Sequence, residues 1–284
     1  MSQLIAVIDG SVYSESVCDH TAWIAQRSGG SVAVVHVLGR RDVSSEPANL
    51  SGSIGLGARS ELLEELAELD GQKAKLAQKR GRAILDGAKA RIEATGVIDV
   101  ATRLRHGEVV ETIKELEADS RLIVIGKRGE AADFTSGHLG SNLERVVRST
   151  NKLVLVASRS FKPIKRLLIA FDGGPSALKA VNYIAATKVF EGIDSHLLSV
   201  ANDSTERRRD LEGAAQLLAN AGLDVTHECV PGDPEAVISN KVDTDHFDLL
   251  VMGAYGHSRI RNMIIGSTTT QMLMSCKIPV LLFR

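Results

Sequence analysis

Short unbroken apolar runs alternate along this chain with amphipathic stretches of helical spacing. LIAVI (4–8), SVAVVHVL (31–38), LIVIG (122–126) and KLVLVA (152–157) are the apolar runs of the first half, and RLLIA (166–170), HLLSV (196–200), LLVMG (249–253) and PVLLF (279–283) those of the second. Runs of four to eight Val, Ile and Leu without polar alternation are the mark of strands buried on both faces. The intervening segments, such as SESVCDHTAWIAQR and SALKAVNYIAATKVF, carry apolar residues at three- and four-residue steps and read as helices. Strands alternating with helices predict parallel sheets covered by helices on both sides.

The pattern occurs twice. LIAVIDGS ends on Asp9-Gly10-Ser11, and RLLIAFDGGPS ends on Asp172-Gly173-Gly174. ATRLRHGEVVETIKELEADSRLIVIGKRG (101–129) aligns with VTHECVPGDPEAVISNKVDTDHFDLLVMGAYG (225–256), so His106-Gly107-Glu108 answers Pro231-Gly232-Asp233. Each half is expected to be β-α-β-α-β-α-β-α-β, a doubly wound α/β domain with a five-stranded parallel sheet. ASRSFKPIK is the joint, which divides the chain into 1–158 and 159–284. Sheets of this type bind ligands beyond the carboxyl ends of their strands, where the strand order reverses.

Residues 41–95 are much longer than the matching 201–222. SSEPANLSGSIGLG reads as a Gly/Ser-rich loop, and GSIGLG within it lacks the preceding strand a dinucleotide fingerprint needs. The helix-forming stretch that follows is expected to break near Asp70-Gly71, and its acid-then-base order suits a helix dipole. It is an extended surface helix, or else a lid or partner-binding arm. SGGS (28–31) reads as a helix C-cap turn.

With 44% hydrophobic and 24% charged residues the chain can bury a sizeable core, and its formal net charge of -1 gives no sign of a nucleic-acid or membrane-surface binder. Aromatics at 4% argue against base-stacking platforms. Cys18, Cys229 and Cys276 make no paired spacing, the N-terminus has no signal-peptide pattern, and no apolar run is long enough to cross a bilayer. A cytoplasmic protein is expected.

One stretch carries candidate chemistry. GAYGHSRIRNMIIGSTTTQML (253–273) follows a buried strand and ends in hydroxyls where a helix begins. Unpaired N–H groups at a helix start, the helix dipole and glycines that allow close approach make an anion site. Ser267 and Thr268 add donors, and Arg259 adds a guanidinium. The bland alternative is a plain strand-to-helix connection with a well-capped helix. There is no GxxxxGK[ST] run, and Lys127 and Arg128 read as solvated loop charges that could also approach a phosphate. Nothing resembles a nucleophile–base pair, so no dedicated catalysis is expected. Asp172 and Asp9 suit ribose hydroxyls or a Mg²⁺ ion held through a nucleotide.

Gly253, two residues, Gly256, nine residues, Gly266 and then Ser267 resemble the ATP-binding pattern of the universal stress protein family, and the duplication resembles its tandem form over essentially the whole chain. The resemblance implies ATP held by the glycine-loop amides and Ser267/Thr268, with Asp172 at the ribose or metal and main-chain groups near Val200 at the adenine. In the first half the counterparts are Asp9, Val37, Gly126, Gly129, Gly140 and Ser141, but ten residues separate Gly129 from Gly140. The resemblance further implies a pseudo-twofold pairing of the terminal strands, homodimers of such tandem chains, and a stress-response or regulatory role. An interaction module that works without nucleotide and a slow ATPase are the alternatives.

Overall fold

The computed structural model describes residues 3–39, 56–129, 140–202, 204–254 and 267–284; for residues 56–61, 141 and 267 it describes the backbone alone. Among the described residues ten strands form a single sheet. β1 (Gln3–Ile8), β2 (Val32–Leu38), β3 (Val100–His106), β4 (Ser120–Gly126) and β5 (Leu153–Ala157) belong to the first half. β6 (Arg166–Ala170), β7 (Asp194–Val200), β8 (Val225–Val230), β9 (Leu249–Gly253) and β10 (Val280–Phe283) belong to the second. The helices are α1 (Ser14–Ser28), α2 (Leu56–Glu93), α3 (Val109–Leu116), α4 (Ser141–Ser149), α5 (Pro175–Ala186), α6 (Thr205–Asn220), α7 (Pro234–Thr244) and α8 (Ser267–Ser275).

The strand order is β3-β2-β1-β4-β5-β10-β9-β6-β7-β8. All pairings within a half are parallel. The two five-stranded sheets expected from the sequence therefore join edge to edge. The junction is β5 against β10, the antiparallel pairing, with Val280 opposite Val156 and Leu282 opposite Val154. This is the meeting of terminal strands across a pseudo-twofold.

Two-residue periodicity divides the core. Leu4, Ala6 and Ile8 of β1 pack with Val17 of α1 and Leu85 of α2 on one face, while Ile5 and Val7 pack with Ile113 of α3 and Val146 of α4 on the other. The duplication is written into the backbone as well. Gly10 and Gly173, after the first strand of each half, both have positive φ (83° and 74°), as do Gly107 and Gly232 (118° and 144°), a region open to residues without a Cβ. Gly29 ends α1 with φ 64°, its N–H donating to Ala25 O at 2.8 Å, which makes SGGS the expected C-cap turn.

The halves also hold each other through helix ends. Lys127 Nζ, just past β4, donates to Met274 O and Cys276 O at 2.9 Å each, at the C-terminus of α8. Arg284 Nη1 donates to Arg148 O (3.2 Å) and Thr150 O (2.9 Å), at the C-terminus of α4. A cation from one half thus satisfies orphan carbonyls of the other. Lys127 is accordingly neither a solvated loop charge nor a phosphate ligand, and burial pulls its ammonium below the usual lysine pKa.

Two expectations for residues 41–95 change. α2 runs without interruption from Leu56 to Glu93, through Asp70-Gly71. A single exposed helical glycine costs about 1 kcal/mol, which strong helix formers on both sides absorb. Because α2 begins at Leu56, its first turn holds no acidic residue, and the dipole does not account for the acid-then-base order. Leu56 and Gly57, the end of the expected loop, open this helix; 40–55 lie outside the described residues.

Candidate functional site

β1 ends at Ile8, and the chain turns through Asp9, Gly10 and Ser11 into α1. That turn fixes Asp9. Ser11 N–H donates to Asp9 Oδ1 at 2.9 Å, and Ser14 Oγ lies 3.4 Å from the same oxygen while accepting from Gly10 N–H at 2.9 Å. Oδ2 faces the next strand's exit, where a Cβ placed on Gly129 would come within 2.8 Å of it. Gly126, at the end of β4, lies against Tyr13, whose Cβ would be 2.7 Å from a Cβ at that position. Gly140 closes the cradle at the start of α4, 3.5 Å by the same measure from Arg128 Cα and Lys127 O. The chain here passes too close to Asp9 and Tyr13 for side chains, as a backbone-lined anion site requires.

β1 and β4 are neighbours, with β2 on the other side of β1, so strand order reverses here. A cavity of about 600 Å³ opens at this point. Asp9, Val37, Gly126, Gly129 and Gly140 all line it, so five of the six candidates of the first half converge on one space. The sixth, Ser141, opens α4 directly beside Gly140. His36 of β2, buried at the wall, shares its Nδ1 with Ile8 O at 2.9 Å, tying β2 to the end of β1. The roof is α2, which contributes Lys73, Leu76, Ala77, Arg80 and Ile84. Gly10 lies beneath it: a Cβ there would meet Ile84 Cδ1 at 2.7 Å. A lid is among the sequence readings of residues 41–95, but neither the roof residues themselves nor Tyr13 nor Ser14 are among the sequence candidates. Ser14 is five residues past Asp9, and only the turn brings it back.

The cavity suits an adenine nucleotide in its donor set and shape. The start of α4 offers the N–H groups that a helix leaves without an intrahelical partner, the glycines let a ligand approach the main chain, Arg128, Arg80 and Lys73 supply positive charge, and Val7, Val37 and Ile125 supply apolar wall. Its volume lies within the usual range of ligand sites, roughly 300–1,000 Å³. For Mg²⁺ the fit is weaker. Among the described residues no group of three or more His, Cys, Asp or Glu could hold a metal ion, so such an ion would depend on phosphate oxygens and a single Asp.

In the second half Asp172, Val200 and Gly253 follow or end the adjacent strands β6, β7 and β9. Asp172 Oδ1 accepts from Gly174 N–H at 2.9 Å, and Arg207 of α6 donates to its main-chain oxygen. Thr268 is half-buried in the first turn of α8, and the next hydroxyl, Thr269 Oγ1, donates to Gly253 O at 3.2 Å. Gly256, Arg259 and Gly266 lie outside the described residues, as does the side chain of Ser267. A second cavity, about 330 Å³, lies between α5 and α6, lined by Leu178, Asn182, Asp210 and Leu217 and by Phe171 and Gly173, which flank the candidate Asp172.

Fold and site together define a tandem doubly wound α/β protein with a crevice at the strand-order reversal. The model of the universal stress protein family matches residues 1–158 and 163–284, and the chain belongs to that family. It is 37% identical over 287 residues to universal stress protein Slr1230 of Synechocystis sp., covering 100% of both chains. Among solved structures it resembles a universal stress protein of Archaeoglobus fulgidus DSM 4304 (TM-score 0.73, 20% identity, 99% of this chain and 98% of that one). A Pseudomonas aeruginosa UCBPP-PA14 protein also shares the fold (TM-score 0.65, 15% identity, 100% and 93%).

Proposed function

We propose that this universal stress protein binds ATP at the strand-order reversal of its halves and serves as a regulatory module whose state is set by the bound nucleotide. In the first half the main chain at Gly126, Gly129 and Gly140 and the start of α4 at Ser141 hold the phosphates. Asp9 takes the ribose hydroxyls or a nucleotide-borne Mg²⁺, and the main chain near Val37 reads the adenine. Asp172, Val200, Gly253, Gly256, Arg259, Gly266, Ser267 and Thr268 have the matching roles in the second half, which carries the uninterrupted glycine spacing. The two repeats divide at 158/159, and the working compartment is the cytoplasm.

The observation that carries this reading is the convergence of Asp9, Val37, Gly126, Gly129 and Gly140 on one cavity. Nucleotide released on heat denaturation of the purified chain and identified by mass spectrometry is the test, with melts in ATP, ADP, AMP and GTP beside it. A ligand at ~100 times its Kd stabilises by about 2.7 kcal/mol. ATP should raise the melting temperature more than GTP, and Gly140→Val with Gly266→Val together should abolish both release and shift. A chain that releases no nucleotide and melts identically in all four would overturn the reading.

A further inference from the structure

Lys73, Leu76, Ala77, Arg80 and Ile84 of α2 all line the first-half cavity. Their steps of three and four residues put them on one face of the helix, along about 16 Å of its length at 1.5 Å per residue. Close packing further along the helix sets that face. A Cβ at Gly81 would come within 2.8 Å of Leu104 Cδ1 and 3.0 Å of His36 Cδ2, so the helix lies flush on β2 and β3 there. Beyond it, Arg91 pairs with Asp19 at 2.6 Å and with Glu15 at 3.1 Å, both on α1. The turns before Gly81 are thereby held over the crevice. Arg80 Nη2 reaches the turn after β1, 3.9 Å from a Cβ placed on Gly10. Leu76 is 68% exposed although it lines the cavity, and a ligand beneath it would take it out of water.

Lys73, Arg80 and Arg128 are the cations of the lining, and Asp9 and Glu108 are its acids. Glu108 is paired with Arg145 at 2.9 Å, so the lining keeps an excess of positive charge. The second half does not repeat the roof. Leu85, Ala88 and Ile92, buried on α2, match Leu211, Ala214 and Leu218, buried on α6. Ile84 against Gly10 then matches Asp210, whose Oδ2 is 3.8 Å from a Cβ placed on Gly173. In that register Glu206 stands where Arg80 does, and Lys73 has no helical counterpart, because α6 begins at Thr205. The guanidinium at the second turn, Arg207, donates to Asp172 O.

We infer that Lys73 and Arg80 form a phosphate-sensing roof over the first-half cavity: they offset the charge of the β- and γ-phosphates of a bound nucleotide and make this site select by phosphate number. The inference rests on the nucleotide reading of that cavity. Charge-assisted hydrogen bonds to phosphate are about twice as strong as neutral ones, and a monophosphate brings less charge for the two cations to meet. The two halves then differ in what they hold, since α6 supplies an acid in place of Arg80 and nothing in place of Lys73.

Calorimetric titration with ATP, ADP and AMP tests this on the full chain carrying Gly266→Val, which silences the second half so that the first is read alone. ATP should bind ~100-fold more tightly than AMP, with ADP between them. Lys73→Gln with Arg80→Gln should weaken ATP by ~10- to 100-fold and AMP by less than ~3-fold. A role in holding α2 in place would weaken all three alike. Should circular dichroism show the double variant unfolded, Lys73→Glu alone, at an exposed position, should still weaken ATP by ~10-fold and spare AMP. AMP bound as tightly as ATP, an ATP affinity unmoved by the variants, or an equal loss for ATP and AMP would overturn the inference and leave the nucleotide reading standing. A Gly266→Val chain that binds none of the three would overturn both for this half.

Discussion

Gly129→Ala is the sharpest probe of how the first-half cavity is built. The new methyl would sit 2.8 Å from Asp9 Oδ2 and 4.0 Å from its Cγ, the first well inside a normal carbon–oxygen contact. The carboxylate is not free to swing aside, because its other oxygen is held by Ser11 N–H at 2.9 Å and approached by Ser14 Oγ at 3.4 Å. Yielding means giving up one or both hydrogen bonds, at about 0.5–1.5 kcal/mol each, or shifting the 127–129 main chain, so the cost is about 1–2 kcal/mol. For a protein of this size that lowers the melting temperature by roughly 2–8 °C. Asp9→Ala removes the oxygen, so in the double variant the alanine at 129 should add almost nothing to the cost of Asp9→Ala. Thermal melts of the native chain, both single variants and the double variant measure this as a coupling of about 1 kcal/mol or more. If the two costs simply add, the glycine is not there to admit Asp9.

Other outcomes follow from the same geometry. Lys127→Met removes donors to Met274 O and Cys276 O and should destabilise the chain by about 1–3 kcal/mol without changing nucleotide affinity, which calorimetry with ATP would separate. His20 is fully buried, shares Nδ1 with Ser16 O at 2.7 Å and has no partner at Nε2 among the described residues. Burial lowers its pKa, so the unfolded chain takes up the proton first, and stability should fall as pH drops below about 6.5. His20→Leu should flatten the melting temperature over that range, leaving the smaller slope from His196, whose pKa burial also lowers against the opposing pull of Glu228.

Much of the architecture was legible because it is periodic. Apolar runs such as LIVIG mark doubly buried strands, and the paired Asp-Gly turns at 9–10 and 172–173 mark the repeat. The first-half candidates came from the resemblance to the universal stress protein pattern, and the fold brings five of them onto one cavity because they stand on or just past β1, β2 and β4 and at the start of α4. What the sequence withheld are contacts between residues distant along the chain. Nothing near Lys127 indicates that its ammonium reaches α8, nearly 150 residues away, and although a lid was one reading of 41–95, nothing near Lys73, Arg80 or Ile84 indicates which crevice they cover. Gly71 misled because its cost is local and small, while the helix on either side is long. The glycine spacing favoured the second half, yet the cavity described is in the first, where the Gly129–Gly140 connection is one residue longer. Both ends of that connection are fixed by β4 and α4, so its length need not disturb the cradle.

The central claim is that the crevice between β1 and β4 holds a nucleotide. A crystal grown with ATP tests it most directly. The account predicts phosphate density against Gly129, Gly140 and the start of α4, with the adenine beside Val37 under the roof of α2. An empty crevice at saturating ATP, or a nucleotide held there without contact to the glycine main chain, would contradict it.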